Sequence, residues 1–202
     1  MFSKESIIGS LTNPQRISDT FKSSGRKEIS TPTIAEYLTY LQDAGLISKA
    51  ERYDVKGRKY ISTPVKYYYT DTGLRNALLR FRQYEETHLM ENVIYNELLY
   101  RGYSVDVGVV PVRTTENGSR VNRKLEIDFV ANKGSKRYYL QSAFAIPDQE
   151  KMNQEQESLV HVPDSFKKII ITSTNSPLWR NEQGITIMSI YDFLLNDNSL
   201  EF

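Results

Sequence analysis

Cysteine is absent from the 202 residues, which removes disulfides, thiol nucleophiles and cysteine-based zinc sites together. Histidine is nearly absent: His88 and His161 give a histidine metal cage or a Ser-His-Asp relay little material. No apolar run reaches the about 18 residues that a membrane-spanning helix needs. The N-terminus shows no basic stretch followed by an apolar core, so a cytoplasmic location is expected. A phosphate-cradling G-x-x-x-x-G-K-(S/T) run is missing too, and Gly134-Ser135-Lys136 is short enough to read as a turn between strands. These absences leave oxygen-ligand chemistry or binding as the function classes.

What is present is unevenly charged. Residues 1–82 carry fourteen Lys or Arg against eight Asp or Glu, whereas residues 83–202 carry twelve against seventeen. A basic first half and an acidic second half predict two domains, 1–82 and 83–202, with different partners or with attraction for each other.

The stretch from Glu91 to Ala143 organises the chain. Met90, Val93, Ile94 and Leu98 recur at three or four residues and predict a helix, ended by Arg101-Gly102. The runs RKLEIDFVANKG and KRYYLQSA alternate with a period of two between turn residues and predict strands. Glu91 falls near the helix start, Asp128 inside one strand and Gln141 inside the next.

Ahead of this stretch, Asn13-Pro14 and Thr31-Pro32 each predict a helix start, with Gly25 and Gly45 as exits. Residues 3–9 read as the end of an earlier helix. Leu46 to Asp54 and Tyr60 to Thr70 predict a hairpin around the turn Val55-Lys56-Gly57-Arg58-Lys59. Helices followed by a hairpin form the order of a winged helix-turn-helix. Its second helix carries no Lys or Arg between Thr31 and Ala44, a poor face for DNA phosphates. The hairpin is different: Lys49, Arg52, Lys56, Arg58, Lys59 and Lys66 make it the candidate nucleic-acid contact. Asp71 or Thr72 caps a further helix after the Tyr67-Tyr68-Tyr69 run, whose ordinary use is packing.

After Ala143, Gln149 to Leu159 predicts a polar helix and Phe166 to Thr172 a buried strand. Ser173 to Glu182 reads as a loop carrying Trp179, Ile185 to Ile190 as a strand and Tyr191 to Leu195 as a closing helix. Thr114 to Asn122 reads as a polar turn.

The placement of Glu91, Asp128 and Gln141 resembles the PD-(D/E)XK nuclease fold. In that family a strand reads (D/E/Q)-x-K, and here Ala143 stands where the lysine belongs. The resemblance implies an α/β (α+β) chain: a winged helix-turn-helix, then a restriction-endonuclease-like mixed sheet flanked by helices. It implies a weak metal site of Glu91, Asp128 and Gln141, filled by Mg2+ if active, and a degenerate catalytic centre. Lys151 is the candidate for a relocated lysine, against its ordinary reading as a solvated helix charge.

The segments KYYYTDTGLRNALL, HLMENVIYNELLYRGYSVDVG, EIDFVA, YYLQSA and GITIMSIYDFLL occur in this order. Together they are similar to the C-terminal half of a large family of prokaryotic AAA-type ATPases. That resemblance implies a P-loop ATPase domain, holding ATP, ahead of this chain as its partner, no cofactor on the chain itself, and DNA as a second partner. The expectation is a non-catalytic binding and regulatory module, an excised C-terminal region with no membrane partner. A metal-dependent DNA endonuclease using Glu91, Asp128 and Gln141 is the alternative, and the oligomeric state stays open.

Overall fold

Along the strand Lys136–Ala143, side chains divide between two cores: Tyr138 and Leu140 enter one, Tyr139 and Ala143 the other. This is the period-two signature of a sheet buried on both faces. A computed structural model describes residues 9–25, 28–81, 85–116 and 119–202. Its strands, in chain order, are β1 (Ile47–Asp54), β2 (Lys59–Tyr69), β3 (Ser104–Glu116), β4 (Ser119–Lys133), β5 (Lys136–Ala143), β6 (Lys167–Thr172), β7 (Trp179–Arg180) and β8 (Thr186–Ser189). Its helices are α1 (Pro14–Ser23), α2 (Thr31–Asp43), α3 (Thr72–Leu78), α4 (Glu86–Tyr100), α5 (Gln149–Val160) and α6 (Ile190–Leu195). The strands form one mixed sheet in the order β2-β1-β3-β4-β5-β6-β8-β7, so the chain is mixed α/β.

One face is covered by α4 and α6. Met90, Ile94, Tyr95 and Leu98 bring the helical stripe of α4 onto Val105, Val107, Phe129 and Leu140, and Phe193 of α6 joins them. On the other face Met152 and Leu159 of α5 pack on Val110, Ile127, Val130 and Ile170. Each such fully buried aliphatic or aromatic side chain contributes about 1.5–3 kcal/mol. Among the described residues no helix is long and apolar enough to cross a membrane.

Local signals set the helix ends. Asn13 caps α1 by accepting from the Arg16 N–H at 2.8 Å, and Pro14 sits at the first helical position. For α2 the cap is Ser30 rather than Thr31, since the Ser30 hydroxyl accepts from the Thr33 N–H. Asp71 caps α3 through the Gly73 and Leu74 N–H groups. Gly102 follows α4 with a φ of 80°, a left-handed turn that glycine adopts without Cβ strain.

Two expectations are corrected. The polar stretch Thr114 to Asn122 is not a simple turn. It continues both strands, with Arg113 opposite Asn122 and Thr114 opposite Val121, because pairing satisfies backbone groups that a turn would leave to water. The Ser173–Glu182 segment is not all loop, since Trp179–Arg180 pairs with Thr186 and Ile187 as edge strand β7. The helix expected over residues 3–9 lies, apart from Gly9, outside the described residues.

The boundary expected after residue 82 falls between α3 and α4. Hydrogen bonding runs across it, because β1 pairs in parallel with β3 at Arg52–Val107, Tyr53–Gly108 and Asp54–Val109. That contact is short. Below it the Ile47–Ala50 end of β1 and the matching end of β2 have no β3 partner, and they turn toward α4. There the Asn92 side chain pairs with both backbone groups of Tyr69, accepting at 2.9 Å and donating at 2.7 Å. Asn96 donates to the carbonyls of Tyr69 and Thr70. Two side chains of α4 thus act as a short replacement for a missing strand.

Candidate functional site

A bulge in β4 builds the site. Asp106 pairs with Val130 and Gly108 with Ile127, so Asp128 and Phe129 together face the single residue Val107. The extra residue lets two consecutive side chains, Asp128 and Phe129, serve the α4 side of the sheet. Glycine is needed at 108, since a Cβ there would lie 2.8 Å from Cβ of Ile127 and 2.9 Å from Val130. Glu126, alternating with Ile127, completes a carboxylate row on the same side.

Opposite this row stands Lys66 of β2. In a flat sheet three strand spacings would separate β2 from β4, about 14 Å, too far for a lysine stem. Because the free half of the hairpin folds toward α4, Lys66 Nζ instead lies 2.9 Å from Glu91, 2.8 Å from Glu126 and 3.4 Å from Asp128. Tyr68, two residues on, donates its hydroxyl to the same Glu91 Oε1 at 2.7 Å and stacks on Tyr95. Lys66, Glu91 and Asp128 are only 4%, 7% and 8% exposed, so these charges are desolvated and hold one another. Glu126 is the wettest member, with 34% of its side chain exposed.

Burial opposes the charged form of Lys66, but Asp128, Glu91 and Glu126 more than reverse it and raise its pKa. Burial pushes Asp128 up to about 7, with Glu91 and Glu126 adding to the rise, while Lys66 and the Ser142 N–H, 2.9 Å away, pull against it. The two shifts describe one cluster, three carboxylates around one ammonium. The ammonium stays charged and the surplus negative charge falls on Asp128. Burial, then Glu91, raises the Tyr68 hydroxyl, which keeps it a donor.

A pH dependence follows. Asp128 titrates higher in the fold than at its ordinary value of about 3.9, so its contribution to stability is full below that value and lost as pH rises through about 7. Lys66, raised from an already high value, contributes evenly over this range. Denaturant titrations should show stability falling above neutrality, with a slope approaching about 1.4 kcal/mol per pH unit. Asp128→Asn should flatten that slope; a variant with the parent's slope would remove Asp128 as its source.

The residues singled out in the sequence are distributed as follows. Glu91 and Asp128 come together. Gln141 does not join them: it pairs across to Ile170, and Ala143, on its side of β5, packs at 1% exposure in the α5 core. Gln141 touches Asp128 only by accepting from its backbone N–H, at 3.4 Å. The strand's alternation is the reason, since the bulge shifts β4 but not β5. Lys151 pairs with Glu155 one turn away on α5.

Of the six hairpin cations, Lys66 is corrected from surface contact to buried ion pair. Lys49 pairs with Glu51, Arg52 is half-buried, and Lys56 donates to the Pro111 carbonyl. Lys56, Arg58 and Lys59 are exposed at the turn, which Asp54 closes by accepting from the Lys56 and Gly57 N–H groups. Glu126 and Tyr68 were missed as site residues. The signals were there: Glu126 stands two before Asp128 in a strand, and Lys66 sits inside the apolar run Val65 to Tyr69, where a lysine needs a partner.

As arranged, the cluster fits an ammonium rather than a divalent metal. Its oxygens stand 2.8–3.4 Å from Nζ, wider than the about 2.0–2.6 Å of Mg2+ or Ca2+ shells. Among the described residues no group of three or more His, Asp or Glu is placed to hold a metal ion.

Comparison with known proteins gives two similarities. Residues 5–85, ending between α3 and α4, match a family model described as a domain of unknown function (DUF8612). The chain is also 37% identical over 188 residues to an uncharacterized protein of Haemophilus influenzae, a match covering 93% of this chain and 43% of the relative. No solved structure matches. The chain therefore spans less than half the length of the curated relative it resembles.

Proposed function

We propose that this chain is a non-catalytic binding and regulatory module of a larger AAA-type ATPase. In this reading residues 1–82 form a winged helix, residues 83–202 a degenerate PD-(D/E)XK nuclease-like domain, and ATP binds to a domain outside this chain. The observation that carries the non-catalytic part is Lys66, whose ammonium fills the place between Glu91, Glu126 and Asp128. A phosphodiester finds there neither an accessible cation nor an open metal position. The greater length of the Haemophilus relative supports a parent with further domains. The exposed turn Lys56, Arg58 and Lys59 supports a contact with nucleic-acid phosphates, led by charge and indifferent to sequence.

One observation favours the metal-dependent endonuclease as a second reading: Lys66 supplies, beside Glu91 and Asp128, the lysine that β5 lacks. Duplex and branched DNA incubated with the chain, with Mg2+ or Mn2+ and with chelator, separates the two. Binding without cleavage is expected. Arg58→Ala with Lys59→Ala should weaken that binding and flatten its salt slope by about two units; an unchanged slope would clear the turn of any role. Metal-dependent cleavage that Asp128→Ala abolishes would establish the nuclease instead.

A further inference from the structure

The cluster around Lys66 is a cation site already filled. Three carboxylates from two elements, Glu91 of α4 and Glu126 and Asp128 of β4, converge on one point, and the group at that point comes from a third element, β2. One ammonium offsets only one of the three negative charges. Next to Asp128, Ser142 donates its N–H to the carboxylate, while its own hydroxyl is buried without a hydrogen-bond partner. Ser142 pairs with Ile171 of the α4-side core, so it lies on the carboxylates' side of β5. Hard oxygens, surplus negative charge and one unpaired buried hydroxyl are the chemistry of a divalent cation site.

We infer that the Lys66 ammonium and a divalent cation compete for Glu91, Glu126 and Asp128, the lysine excluding the metal while the hairpin is docked. The inference rests on the reading above, that Lys66 closes this site. A lysine cannot leave alone: Tyr68 is bonded to Glu91, and Asn92 grips the backbone of Tyr69. Metal entry and release of the β2 end of the hairpin are therefore one event. The cation site is thus wired to the position of the helices that precede the hairpin, through Lys66 rather than through any residue of β5.

Mn2+ is the probe, read by loss of its free electron-resonance signal, with folding followed by circular dichroism. The parent chain and Lys66→Arg should show no saturable uptake at millimolar Mn2+. Lys66→Met, which keeps an apolar stem and removes the charge, should take up one equivalent, and Asp128→Asn added to it should abolish uptake. If Lys66→Met is unfolded without metal, Mn2+ should restore its spectrum. A folded Lys66→Met without uptake, or an unfolded one that Mn2+ does not rescue, overturns the exchange and leaves the non-catalytic reading intact. Uptake by the parent, or its metal-dependent cleavage of DNA, overturns both.

Discussion

Lys66→Ala should destabilise the fold by about 3–5 kcal/mol, the range for removing one partner of a buried ion pair. The alanine leaves Glu91 and Asp128 facing each other beside Glu126 with no cation between them. Tyr68 still donates to Glu91, yet a neutral hydroxyl does not offset a buried charge. Part of the penalty is relieved by protonation, which Asp128 accepts readily because burial already pushes it up to about 7. The destabilisation should therefore be larger in alkaline than in mildly acidic buffer. Urea unfolding followed by circular dichroism at two pH values measures both effects. Combining Lys66→Met with Glu91→Gln and Asp128→Asn should recover much of the loss, since a neutral cluster of similar volume carries no unpaired charge. A Lys66→Ala midpoint close to the parent's would mean that water, not Lys66, solvates these carboxylates.

How much of this could be read in advance depends on the range of the interaction. Asn13-Pro14, Asp71 and Gly102 act within a few residues, and their helices begin and end where such residues allow. The stripe Met90, Ile94, Leu98 and the alternation Tyr138 to Tyr139 to Leu140 depend only on the period of each element, and both appear in the cores as expected. The site was half legible: Glu91 and Asp128 converge, whereas Gln141 lies on the other side of β5. Three facts hid the remainder. The β4 bulge redirects Asp128 without leaving a mark in the period. The parallel pairing of β1 with β3 joins Arg52 to Val107 across α3 and α4, and no local signal announces a partner so distant. Lys66 was grouped with Lys56, Arg58 and Lys59 by charge, although its neighbours Val65, Tyr67 and Tyr68 are buried. A lysine flanked by core residues calls for a search for carboxylates, and that search would have reached Glu91.

Phe129→Ala should cost about 3–5 kcal/mol, as truncation of a fully buried aromatic does. Phe129 is 0% exposed and lies beneath the Tyr68–Tyr95 stack, with ring centres 6.1 and 6.4 Å away. The bulge that turns Asp128 toward Lys66 turns Phe129 to the same side, so polar cluster and aromatic floor share one backbone irregularity. Removing the ring leaves a cavity under Tyr68, whose hydroxyl holds Glu91 and whose strand holds Lys66. The loss should therefore exceed the transfer energy of the ring alone and should propagate to the hairpin. Hydrogen exchange can test that second part: the Tyr69 N–H, bonded to Asn92, should lose protection in Phe129→Ala more than the Ile170 N–H of the distant β6 strand. Phe129→Leu, which keeps most of the volume, should restore the hairpin's protection at a cost below about 1.5 kcal/mol. Equal losses at Tyr69 and Ile170 would show one global unfolding, with no mechanical link between aromatic floor and lysine cluster. A selective loss at Tyr69 would place that link at the bulge, where the two halves of the chain meet.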